Sequence, residues 1–90
     1  MEIIFITPTK MEDCQKCVDH IKQDKIVHIN LEDVEHSVAR RIIHYVLGAV
    51  CIKDGRLVQP AGKVYCTIPK NLKHSLISNA DEEPEIIPTY

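Results

Sequence analysis

The sequence predicts an α/β two-layer sandwich, with two helices packed on one face of a five-stranded mixed sheet in the order β-α-β-α-β-β-β. Three observations lead there. Apolar, β-branched runs at 2–6 and 26–29 read as strands, and apolar residues recur at intervals of three and four in the stretches that follow each of them. After Gly48 the pattern changes to short apolar runs divided by Asp54-Gly55 and Pro60-Ala61-Gly62.

The first strand, Glu2 to Ile6, is stopped by the turn chemistry of Thr7-Pro8-Thr9. Thr9 with Glu12 three residues on fits a capping box, so a helix runs from there to about Gln23. Its stripe is Met11, Cys14, Val18 and Ile21. The next strand, Ile26 to Ile29, is reached through that helix, and such a long connection predicts a parallel βαβ unit. Asn30 to Asp33 can cap a second helix over 34–47, with Glu32, Asp33 and Glu35 placed favourably for its dipole. Val34, Val38, Ile42, Tyr45 and Val46 form its expected core face, and Ser37, Arg41, His44 and Gly48 a polar flank. A three-stranded meander is expected over 49–53, 56–59 and 63–68, because Asp-Gly between apolar runs is a strong hairpin signal. One domain over 1–78 results, with an acidic, proline-punctuated tail at 79–90 expected to be mobile.

Two helices cover one face of such a sheet, yet in the first two strands both faces are apolar: Ile4 and Ile6 alternate with Ile3 and Phe5. The uncovered face is expected to be an interface, hence a homodimer, with His28 beside Ile26 facing the partner. A chain of 90 residues buries a modest fraction of its surface, which gives self-association something to add.

Charge excludes some partners. Residues 79–90 hold Asp81, Glu82, Glu83 and Glu85 without a base, so a total of −2 leaves the first 78 residues at +2. No lysine/arginine cluster exceeds pairs such as Arg40-Arg41, and three Tyr, one Phe and no Trp offer few stacking platforms. A nucleic-acid partner is not expected. The longest apolar runs are of four residues, against about 20 for a bilayer span. Without a secretory signal pattern the four cysteines read as reduced thiols in a cytoplasm.

Cys14-Gln15-Lys16-Cys17 has the spacing of a redox pair or half a zinc site. A metal- or thiol-dependent regulatory module built on Cys14 and Cys17 would need Cys51 or Cys66 to approach from the meander. The pair is expected a turn or more inside the first helix, where small thiols fill a core. His20, His28, His36, His44 and His74 are scattered, and the glycines Gly48, Gly55 and Gly62 make no phosphate loop. Neither a catalytic constellation nor a cofactor site is expected.

The ordered set Asn30-Leu31, Arg41, Tyr45, Gly48, Gly55, Lys63-Val64-Tyr65 and Pro69-Lys70-Asn71 resembles the SepF family over about residues 2–77. The resemblance implies a non-enzymatic cell-division adaptor in the cytoplasm, at the division site on the inner face of the membrane. It implies a dimeric α/β sandwich that binds the C-terminal peptide of FtsZ and tethers or bundles its filaments. Position by position, Gln59 and Tyr65 match the partner-binding groove, with Lys63 beside them, and Gly48 the self-association glycine, with His44 and Arg41 beside it. Members of the family usually begin with a membrane-binding amphipathic helix and a linker, whereas this chain opens on a strand. Membrane attachment is therefore expected only through a segment absent here, or through another protein.

Overall fold

The computed structural model describes residues 2–72, and in it β1 (Ile3–Ile6) and β2 (Ile26–Asn30) lie parallel, Ile3 opposite Ile26 and Phe5 opposite His28. The expected βαβ unit is present. Its crossover is a 3-10 turn, Met11–Asp13, running into α1 (Cys14–Lys22). After α2 (His36–Ile52), β3 (Arg56–Ala61) and β4 (Val64–Ile68) form an antiparallel pair that turns at Gly62, where φ is +48°. β4 inserts against β2, also antiparallel, so the sheet order is β1-β2-β4-β3.

Both helices lie on one face of this mixed sheet. Cys14, Cys17 and Ile21 of α1 and Ala39, Ile42, Ile43, Val46 and Val50 of α2 close over Val27, Ile29, Leu57 and Tyr65. Those four strand residues are fully buried, as is Thr67, whose hydroxyl accepts the Val27 N–H at 3.1 Å. A buried hydroxyl with a partner avoids the penalty of about 1–3 kcal/mol for an unsatisfied polar group. The two-layer architecture thus holds.

The sheet has four strands among the described residues, not five. The segment 49–53, expected as a strand, is the last turn of α2 with its C-cap Lys53. Its physical reason is the spacing of buried residues: Ala39, Ile42, Ile43, Val46 and Val50 continue one helical stripe past Gly48. Gly48 is neither a cap nor a stop. The helix ends instead at Lys53 and Asp54, where the Gly55 N–H reaches back to Val50 O at 2.9 Å and Asp54 takes φ +57°. Asp-Gly here terminates a helix rather than closing a hairpin. A side chain at Gly55 would stand 2.6 Å from Ile68 O, so only glycine lets the helix exit pass this close to β4.

The helix starts also differ in detail. Thr9 pairs not with Glu12 but with Asp13, whose Oδ2 accepts the Thr9 N–H at 2.9 Å and the Thr9 hydroxyl at 3.3 Å. That N–H holds the Asp13 carboxyl below its ordinary pKa. α2 begins at His36 rather than 34, because Asn30 Oδ1 accepts the Glu32 N–H at 2.9 Å and shapes a turn there. Tyr45, assigned to the core face, is 49% exposed on the outer side of α2. The tail at 79–90, and most of the short element expected over 72–78, lie outside the described residues.

Candidate functional site: two contact surfaces

Alternation along the strands places a second apolar layer on the side of the sheet away from the helices. Ile3 and Phe5 of β1 are 52% and 71% exposed there. Ile26 and His28 of β2, Val64, Cys66 and Ile68 of β4, and Val58 of β3 are half-buried by one another. Phe5 and His28 pack with ring centroids 4.9 Å apart and planes tilted by 43°. Arg56 sits at the margin, opposite Ile68. Among the described residues no element covers this face, and a contiguous apolar surface of this kind has the character of an interface.

The second surface is the outer side of α2. Arg41, His44 and Gly48, the expected self-association residues, are all exposed, and their spacing of three and four keeps them on one side of the helix. The structure adds Tyr45 and, at 84% exposure, Ile52. Sequence reasoning missed both because it gave Tyr45 to the core and Ile52 to a strand; their offset from the buried 42-46-50 series was the available signal. A Cβ built at Gly48 has nothing within 4 Å, so no neighbour within the protomer requires a glycine there. Glycine inside a helix costs about 1 kcal/mol relative to alanine.

The expected partner-binding residues divide. Gln59 and Lys63 flank the β3–β4 turn and are half-exposed; the Gln59 amide donates to Gly62 O. The Leu31 N–H donates to Lys63 O at 3.0 Å, tying this turn to the loop after β2. Tyr65 lies elsewhere. It shares a strand face with Thr67, as alternation predicts, but that face is the helix-covered one, and Tyr65 is the largest fully buried side chain at 1% exposure. In the protomer Tyr65 is a core residue and shares no accessible surface with the half-exposed Gln59 and Lys63.

The cysteines do not converge. Cys14 opens α1 instead of lying a turn inside it, yet both Cys14 and Cys17 are buried in the core. Burial raises the Cys14 thiol and pushes Cys17 up to about 12, so both stay protonated near neutrality. A buried thiol held in its protonated form is a poor nucleophile. Cys51 is exposed on α2, and Cys66, its thiol also raised by burial, faces away from the helices. Among the described residues no three His, Cys, Asp or Glu side chains are grouped to hold a metal ion. No described helix is long and apolar enough to cross a membrane.

Comparison with known proteins gives one consistent answer. The family model "Cell division protein SepF" matches residues 3–73. A cell division protein SepF of Alkaliphilus oremlandii is 30% identical over 83 residues, which are 92% of this chain and 56% of that protein. One of Ruminiclostridium cellulolyticum is 34% identical over 71 residues, 79% of this chain and 46% of its own length. The chain spans about half the length of these curated relatives. Among solved structures, a SepF-like protein from Pyrococcus furiosus superposes with a TM-score of 0.71 at 19% identity, covering 81% of this chain and 92% of that one. At that identity the likeness speaks to the fold.

Proposed function

From the premise that the chain belongs to the SepF family of cell-division proteins, we propose that it is a non-enzymatic adaptor of the division machinery, dimeric through its open sheet face, that binds the C-terminal peptide of FtsZ. The observation that carries this reading is the pair of contact surfaces on opposite sides of one small sandwich. The apolar sheet face pairs two copies, and the outer side of α2, with Arg41, His44, Gly48 and now Tyr45 and Ile52, joins dimers into larger assemblies. Each dimer then offers two peptide sites. Weak single contacts add up when both sites engage one filament, because the second binding event is effectively intramolecular.

Gln59 and Lys63 are the accessible members of the peptide site. Lys63 offers a charge at the rim and Gln59 an amide. Action at the division site, on the inner face of the membrane, goes with this role.

The test is titration of the full chain with the C-terminal peptide of FtsZ from the same organism. Saturable binding is expected, weakened about tenfold or more by Lys63→Glu combined with Gln59→Ala, with the fold intact by circular dichroism. Tyr65→Ala is the wrong control, since it removes core. Absence of any binding by the unaltered chain overturns the peptide-binding part of the proposal.

A further inference from the structure

The two soft metal ligands on the open sheet face are placed at its centre. β2 and β4 are the middle strands of the order β1-β2-β4-β3, His28 is the middle residue of β2, and Cys66 is the middle residue of β4. The register sets His28 directly opposite Cys66. Side chains so paired across antiparallel strands start about 4.5–5.5 Å apart at Cβ, close enough for an imidazole nitrogen and a thiolate to share one ion. Phe5 packs, tilted, against the His28 ring from the other side.

Symmetry supplies the rest. In an isologous dimer the residues at the middle of the contact patch meet their own copies across the two-fold axis. The dimer that covers most of this apolar face lays centre on centre, so His28 and Cys66 of one protomer oppose the same pair of the other. Sheets packed face to face stand about 10 Å apart, leaving about 5 Å from each to the midplane. A Cys Sγ and a Zn–S bond of about 2.3 Å span that distance, as does an imidazole with a bond of about 2.0 Å.

We propose that His28 and Cys66 form a half-site for a divalent zinc-like ion, completed by the same two residues of a second copy as a tetrahedral Cys2His2 centre on the dimer axis. The proposal rests on the sheet-face dimer described under Proposed function. On binding, each Cys66 thiol gives its proton to solvent, and two thiolates neutralise the ion's two charges. The site is then uncharged, which suits an apolar interface where a net charge is expensive to bury. The ion satisfies two imidazoles that a plain sheet-on-sheet contact would otherwise have to desolvate. The buried Cys14 and Cys17 pair takes no part.

The experiment uses the full chain, Co2+ as a spectroscopic probe and Zn2+ as the ion tested in sedimentation equilibrium. One Co2+ per two chains is expected, with a sulfur-to-cobalt charge-transfer band and the intense visible bands of tetrahedral cobalt. Both are lost in Cys66→Ser and in His28→Gln and kept in Cys51→Ser. Zn2+ tightens the dimer about tenfold or more. A dimer that forms without taking up metal overturns the metal site and leaves the dimer standing. Cobalt bands that survive Cys66→Ser also overturn it. A chain that stays monomeric with and without metal overturns the sheet-face dimer itself.

Discussion

The two faces of this sheet are drawn from the same strands and nearly the same residue types, yet the middle of one is sealed by helices while, among the described residues, nothing covers the other. On the covered face Val27, Ile29, Leu57 and Tyr65 are sealed by α1 and α2. On the open face Phe5 and Ile3 keep most or half of their surface exposed. The difference lies in the connections: the one βαβ crossover and α2 both fall on the same side, and the β3–β4 hairpin brings no helix for the other. An apolar strand face is therefore not by itself a core position. What decides is whether the topology delivers a layer to cover it.

The sharpest way to break that comparison is to truncate one aromatic on each face. Tyr65→Ala is expected to lower unfolding free energy by about 3–5 kcal/mol, the range for large-to-small changes at fully packed aromatic sites. Phe5→Ala is expected to change the protomer's own stability by no more than about 0.5 kcal/mol, while weakening self-association. Chemical denaturation at low protein concentration measures both stability changes. Equal losses would mean that the two faces are equally packed within one copy.

The seam between α2 and the covered face gives the next effect. Gly55→Ala sets a methyl against Ile68 O, and overpacking of that kind costs about 1–3 kcal/mol. A thermal melt that does not move would show that the helix exit shifts freely. On the outer side of α2 the sign reverses: Gly48→Ala has open space around it and is expected to stabilise the protomer by about 0.5–1 kcal/mol. If Gly48 is a point of close approach between copies, that gain is accompanied by weaker higher-order assembly, visible in light scattering.

The smallest effect is electrostatic. The Thr9 N–H lowers the Asp13 pKa in the folded chain, so this carboxylate adds stability above its unfolded pKa and loses it as pH falls through the lower folded one. Asp13→Asn is expected to flatten the acid limb of the stability profile slightly, with no change near neutrality in its slope. A slope change above pH 6 would assign the dependence to another group.

Much of the fold was legible because period-two and period-3.6 patterns are direct imprints of burial. β1, α1, β2 and the pairing of β3 with β4 all followed from them. The segment 49–53 was not, since Ala-Val-Cys-Ile is apolar and β-branched enough for a strand, and four residues are too few for periodicity to separate strand from helix. Gly48 and Asp54-Gly55 reinforced the error by reading as a stop and a hairpin. The continuing 42-46-50 spacing contained the answer. Among the site residues, Arg41, His44 and Gly48 were legible as one helix side. Alternation put Tyr65 and Thr67 on a common strand face, but nothing within a strand says which face the helices take. That information lies in the handedness of the crossover and in the insertion of β4 beside β2.

The open sheet face as a self-association surface is tested most directly by sedimentation equilibrium of the unaltered chain and of Phe5→Glu, each from low micromolar to several hundred micromolar. The account predicts a dimer for the first and a folded monomer for the second. A monomeric unaltered chain across that range, or a Phe5→Glu variant that dimerises as tightly, would contradict it.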